Sequence, residues 1–155
     1  MALEQFRAVL GLDTSYVHLN NAGIGPLSLP AKTAMAEISD LMAAKAFHGV
    51  EEVISAYEKA RATFGSLVGS HPDCVAMTQT CAAAISMVAY GLDLRPGDEI
   101  LRWDQEYPSN AYPWHSAANR AGAKVTVVQS EDDYELNTER MLNAFSDRTR
   151  VVTVS

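Results

Sequence analysis

The chain has 155 residues, 48% of them apolar and 20% charged, with a formal net charge of −7; that leaves room for an ordinary domain with a real core. An acidic chain whose 12 lysines and arginines are scattered argues against nucleic acid or an anionic membrane surface as the main partner. No apolar run approaches the ~20 residues that span a bilayer.

Two cysteines, Cys74 and Cys81, provide no disulfide framework and fit a reducing compartment. The N-terminus, with Glu4 early, reads without the layout of a signal peptide, so a cytoplasmic location is expected.

In chain order, residues 2–10 are expected to form a short helix ending near Gly11, and residues 16–19 a brief extended piece. Asn20-Asn21-Ala22-Gly23-Ile24-Gly25-Pro26 is dense in turn residues. It reads either as a surface connection or as a backbone-rich loop lining a site. Residues 29–47 read as a helix with Pro30 in its first turn, broken by Gly49. Residues 51–68 read as a second, with Glu51 and Glu52 suiting its start. Ile54, Tyr57, Phe64, Leu67 and Val68 recur there at helical spacing and are expected to pack in a core. His71, Asp73 and Cys74 lack the spacing of a metal site and read as a solvated loop with a buried cysteine.

Residues 75–92, VAMTQTCAAAISMVAYGL, are the stretch around which the rest is organised. Residues 75–78 predict a strand, Gln79 and Thr80 a turn, and residues 81–92 a helix. The first N–H groups of a helix have no partner inside it and its dipole favours negative charge, so such an end suits a phosphate. Ala82, Ala83 and Ala84 would let a ligand approach the backbone. Cys81 reads as an activated thiolate or, in preference, a small packed residue. No GxxxxGK[ST] occurs, and no GxGxxG follows the strand, which excludes the common nucleotide loops.

A turn over residues 93–98 leads to a strand at 99–103 and a polar loop at 104–108. Residues 110–121 predict a helix broken near its start by Pro113 and stopped by Gly122, with His115 on its surface. A strand at 124–128, an acidic loop at 130–133, a helix at 137–145 capped by Asn137 or Thr138, and a strand at 150–155 follow. This alternation is that of an α/β protein with a mainly parallel sheet.

Three motifs carry a resemblance: HLNNAGIGPLS at residues 18–28, TQTCAAAISMVAYGL at 78–92 and GDEILRWDQEYPSNAYPW at 97–114. Over nearly its whole length the chain resembles the N-terminal part of a class V aminotransferase or cysteine desulfurase-like enzyme. Those are pyridoxal 5'-phosphate (PLP) enzymes of fold type I. The resemblance implies an N-terminal helical arm over residues 1–70 and the first part of a PLP-binding large domain over 71–155. It implies that Thr80, Cys81 and Ala82 hold the cofactor phosphate, that Tyr107 stacks on its ring, and that Asn20, Asn21 and Gly23 line the substrate end. It further implies an amino-acid substrate, a lyase, desulfurase, epimerase or aminotransferase reaction, and a homodimer.

Three residues depart from the family pattern: the cradle usually has hydroxyl side chains where Cys81 and Ala82 stand, and desulfurases tend to have histidine at Tyr107. On the residues alone, Tyr107 reads as an ordinary loop aromatic. The family's Schiff-base lysine and its acid at the ring nitrogen are implied to lie beyond residue 155, and none of Lys32, Lys45, Lys59 and Lys124 matches the Schiff-base position. The implied strand order is 3-2-4-5-6-7-1, with residues 75–78 as strand 1 and residues 99–103, 124–128 and 151–154 as strands 2, 3 and 4. Strand 1 would then lack its neighbour, so the chain is expected to self-associate, to pair strand 1 with strand 4, or to occur within a longer chain. The second reading is a non-catalytic remnant or interaction module that retains part of the fold.

Overall fold

The computed structural model describes residues 3–13, 15, 17–131 and 134–155. Expectations resting on Ala2, Tyr16, Asp132 and Asp133 lie outside the described residues. The chain divides into two compact units, Met1–Ala76 and Met77–Ser155.

The first unit is helical. Helix α1 (Leu3–Leu10) is closed by Gly11, whose φ of +57° lets its N–H reach the Arg7 carbonyl at 3.1 Å. Helix α2 (Leu29–Lys45) starts at Ser28, whose Oγ accepts the Ala31 N–H, with Pro30 in the first turn. It ends before Gly49: Ala46 turns out of the helix at φ 48°, and a short 3-10 turn, Ala46–Gly49, leads to α3 (Val50–Val68). Past α3, the Arg61 guanidinium ties the following turn down, donating to the carbonyls of Val75 (3.0 Å) and Pro72 (2.8 Å).

The apolar stripe of α3 is not core. Ile54, Tyr57, Phe64, Leu67 and Val68 are all exposed, Leu67 at 81%. Among the described residues of this unit only Gly49 and Gly65 are buried. Helical periodicity marks a face able to bury; burial itself needs an opposing layer.

The second unit supplies such layers. Its elements are α4 (Cys81–Gly91), β1 (Glu99–Trp103), α5 (Pro108–Ala121), β2 (Lys124–Val128), α6 (Thr138–Asn143) and β3 (Thr149–Thr153). The three strands form a parallel sheet in the order β2-β1-β3. Successive side chains of a strand point to opposite faces, and on the central strand both faces are covered. Ile100 packs with Ala89 of α4 and with Trp114, Ala117 and Ala118 of α5. Leu101 packs on the other side with Val128 and with Met141 of α6. Both are fully buried, which contributes about 1.5–3 kcal/mol each.

The observed order is the 3-2-4 portion of the expected one, but residues 75–78 are not a strand and pair with nothing in the sheet. A strand needs a neighbour for its backbone groups; here a 3-10 turn, Pro72–Cys74, precedes the segment and the Val75 carbonyl is taken by Arg61. The expected pairing of strand 1 with strand 4 therefore does not occur. Pro113 does not break α5, which runs unbroken from Pro108 with Pro113 buried inside it. Proline's absent N–H forfeits one helical bond, and its packed ring lies in the most buried stretch of that helix. Cys74 and Cys81 are both exposed, against the expectation that they pack. His115 is half-buried and accepts from Arg102 Nε at 3.2 Å, so it is not a plain surface residue. Helix α6 is shorter than expected, and Asn137 caps it through the Arg140 N–H at 2.9 Å.

Candidate functional site

Helix α4 opens with a Thr80 cap. The Thr80 Oγ1 accepts the Ala83 N–H and its carbonyl accepts the Ala84 N–H, both at 3.1 Å. The N–H groups of Cys81 and Ala82 find no partner among the described residues. The Thr80 hydroxyl, accepting from Ala83, still has its own hydrogen to donate. Thr80, Cys81 and Ala82 thus form a donor-rich helix end.

Helices α4 and α5 enclose a groove of about 420 Å³, lined by Ala82, Ser86 and Tyr90 on one side and Pro108, Ser109 and Tyr112 on the other. The starts of both helices therefore share one groove. Tyr107 directly precedes Pro108 as the N-cap residue of α5 and is 57% exposed. At the far end the Tyr90 hydroxyl and Ser116 Oγ are 2.6 Å apart, and the Arg120 guanidinium lies 4.5 Å from the Tyr90 ring centre.

Polar side chains bind the C-terminal ends of the strands together. Asp104 accepts both the N–H (3.0 Å) and the hydroxyl (3.1 Å) of Ser130. Burial pushes the Asp104 pKa up, but the Ser130 bonds, together with those from Gln105 and the Asp104 backbone, outweigh it and hold the carboxyl below its usual value. Glu106 is buried, and its Oε1 accepts the Tyr107 N–H at 2.9 Å and the Ser155 hydroxyl. Asn110 Oδ1 accepts from Thr153 Oγ1 at 2.7 Å and from Trp114 Nε1 at 3.3 Å. The sequence reading names Glu106 and Asn110 only as members of the loop 106–110, taken to lean toward the epimerase and lyase-like branch of the family, and gives neither residue a role of its own. On α5, burial and then the Arg102 charge push the His115 pKa below 6.5.

Asn20, Asn21 and Gly23 belong to the first unit. Asn20 Oδ1 accepts the Gly23 N–H at 3.0 Å, and a Cβ at Gly23 would stand 2.8 Å from that oxygen, so a larger residue there would have to displace the Asn20 side chain. The His18 Nε2 lies 2.8 Å from the Ile24 carbonyl. Asn21, with Phe6, Arg7, Leu10 and His18, lines a cavity of about 700 Å³ within that unit; Asn20 and Gly23 form the turn beside it.

Of the lysines, Lys124 opens β2, with Nζ 3.7 Å from Glu99 Oε1. It is therefore at the end of the parallel sheet opposite Tyr107, which follows the C-terminal end of β1. Lys32 and Lys45 lie on α2 and Lys59 on α3, in the first unit. Among the described residues no three acids, histidines or cysteines converge as a metal site, and no helix is long and apolar enough to cross a membrane.

A three-stranded parallel sheet with helices packed on both faces defines an α/β domain. The family model of aminotransferase class-V matches residues 29–155, and the chain belongs to that family. A probable cysteine desulfurase of Methanothermobacter thermautotrophicus is 28% identical over 159 residues, covering 100% of this chain and 40% of the relative. One of Pseudomonas aeruginosa is 32% identical over 108 residues, covering 68% and 27%. Among solved structures, a C-DES mutant with glycine covalently linked to the PLP cofactor superposes with a TM-score of 0.81 at 20% identity, over 94% of this chain and 39% of that one. The cysteine desulfurase CsdA of Escherichia coli gives 0.77 at 24% identity, over 98% and 40%. These likenesses establish the fold. The chain spans 40% or less of the length of these relatives.

Proposed function

We propose that the chain forms the phosphate- and ring-binding portion of a PLP-dependent enzyme acting on an amino-acid substrate. The observation that carries this reading is the pair of N–H groups at Cys81 and Ala82 without a partner among the described residues, at the start of α4 where Ala82 lines the groove shared with Pro108, the residue after Tyr107. Family membership supports it, as does the cofactor named for the C-DES structure.

The residues fit the group at its phosphate end. Cys81 and Ala82 donate backbone N–H groups along the helix dipole, and Thr80 adds a hydroxyl. The absence of side-chain bulk at Ala82 allows the close approach that such backbone binding needs. Tyr107 covers one face of the ring by offset stacking and keeps water from it. When bound, the cofactor acts as an electron sink for bonds at the substrate's α-carbon. Lys124, held by Glu99 at the other end of the sheet, takes no part. The reading therefore assigns cofactor binding, not covalent attachment, to the second unit. Asn20, Asn21 and Gly23 are proposed for the substrate side. Among lyase, desulfurase, epimerase and aminotransferase reactions, the names of the relatives favour removal of sulfur from a cysteine-like amino acid. A homodimer is the proposed assembly.

Titration of the chain with PLP and with pyridoxal separates the parts of this reading. Tighter binding of PLP, reduced in Tyr107→Ala by about 1 kcal/mol or more, is the expected outcome. Equal affinity for both compounds, or none for either, would overturn the assignment. Borohydride trapping with peptide mapping should find no single lysine labelled; stoichiometric label on Lys124 would contradict the assigned geometry.

A further inference from the structure

Glu106 is an acid only 8% exposed, just past the C-terminal end of β1. A carboxylate loses hydration on burial and persists only where donors replace it. Its Oε1 has two, the Tyr107 N–H at 2.9 Å and the Ser155 hydroxyl, while Oε2 is buried with no partner among the described residues. The Tyr107 carbonyl is held as well, accepting the N–H groups of Asn110 (2.9 Å) and Ala111 (3.0 Å). Asn110 is in turn tied to Thr153 of β3. The backbone on both sides of Tyr107 is thus fixed by bonds that lead to β3 and the residues after it.

Two roles for such an acid differ in what they require. An acid that merely complements the α5 dipole acts through its charge. One that orients Tyr107 acts as an acceptor at a set reach from the peptide, and an uncharged amide of the same length can replace it. Because the contact at 2.9 Å is local and directional, the second role fits the geometry better.

We infer that Glu106 is a positioning residue for Tyr107, setting the angle at which the ring meets a bound PLP. This rests on the cofactor reading above. The test uses the full chain, PLP as probe, and the variants E106Q, E106A, E106D and Y107A. The readouts are PLP affinity, the circular dichroism induced in the PLP absorption band, and hydrogen exchange of the Tyr107 amide.

E106Q should stay within about twofold of the unmodified chain, because it keeps the acceptor and removes only the charge. E106A should bind about fivefold more weakly, match Y107A in losing the induced signal, and expose the Tyr107 amide to exchange. Should E106A fail to fold, E106D decides, since it keeps the charge without the reach and should show the same loss. Full PLP binding in E106A or E106D beside weak binding in Y107A would overturn the positioning role and leave the cofactor reading standing. Loss of binding in E106Q equal to that in E106A would make charge the cause and overturn it too. Unchanged binding in Y107A, or no binding by the unmodified chain, would overturn both.

Discussion

The two units make opposite use of similar apolar material. In the second, three strands carry side chains to both faces and helices cover each, so that Ile100 and Leu101 vanish from solvent. In the first, α3 bears a regular apolar stripe that stays in water. A helix has one face to bury and depends on a neighbour for it, whereas a sheet with its crossover helices brings its own covering layers. Stability in this chain should accordingly be concentrated after residue 77.

The sharpest way to break that contrast is a pair of truncations. Trp114→Ala empties a site that is 6% exposed and removes the indole bond to Asn110, and should cost the second unit about 3–5 kcal/mol. Leu67→Ala on α3 should change stability by less than about 0.5 kcal/mol. Urea unfolding followed by tryptophan fluorescence, with amide exchange for Leu67, checks both; equal losses would refute the contrast. At Gly65 the first unit is tight against backbone. A Cβ at Gly65 would lie 2.8 Å from the Ser70 carbonyl, so Gly65→Ala should cost about 1–3 kcal/mol by overpacking. Amide exchange across residues 61–75 would register it.

A third experiment concerns the outer side of β3, where Val152 and Val154 are exposed and no described strand pairs. An open apolar edge templates association, so the chain should elute larger than a monomer, and Val152→Lys should shift it toward one. A sharp monomer peak for the unmodified chain would count against this.

The smallest expected effect is a pH dependence at His115. Burial and then Arg102 lower its folded pKa below 6.5, so the unfolded state binds the proton more readily. Its contribution is fully present above the unfolded pKa and is lost as pH falls through the folded one. Second-unit stability should thus decline below about pH 6.5, and His115→Gln should flatten that limb. A variant as acid-sensitive as the unmodified chain would remove His115 as the cause.

Much of the second unit was legible in the sequence because its signals are local. Gly122 stops α5 in the left-handed conformation, Asn137 caps α6, and the three observed strands are short β-prone runs bounded by turns. The order β2-β1-β3 came from the family resemblance; no local signal encodes which strands adjoin. Residues 75–78 look like a strand to any local rule, yet pairing depends on a neighbour, and none is present in the sheet. The stripe of α3 misled for the same reason, since periodicity names a face and says nothing of what covers it. At the site, the helix start at Thr80 could be read directly. The ties of Glu106 to Ser155 and of Asn110 to Thr153 could not, because they join residues more than forty positions apart.

The central place of β1 in the sheet has a kinetic consequence. Glu99 meets Lys124 on one side and Thr149, twice as far along the chain, on the other. Each doubling of a loop adds only about 0.6 kcal/mol to its closure, but the shorter loop also contains α5, whose residues pack on Ile100 as it closes. The β1–α5–β2 unit should therefore form first, with β3 docking afterwards on a prepared edge. The register shift between Glu99 and Ile100 falls on this later pairing, while β1 and β2 align without one. Refolding followed by pulse-labelled exchange should protect the β2 amides before those of β3, and simultaneous protection would show that the sheet closes in a single step.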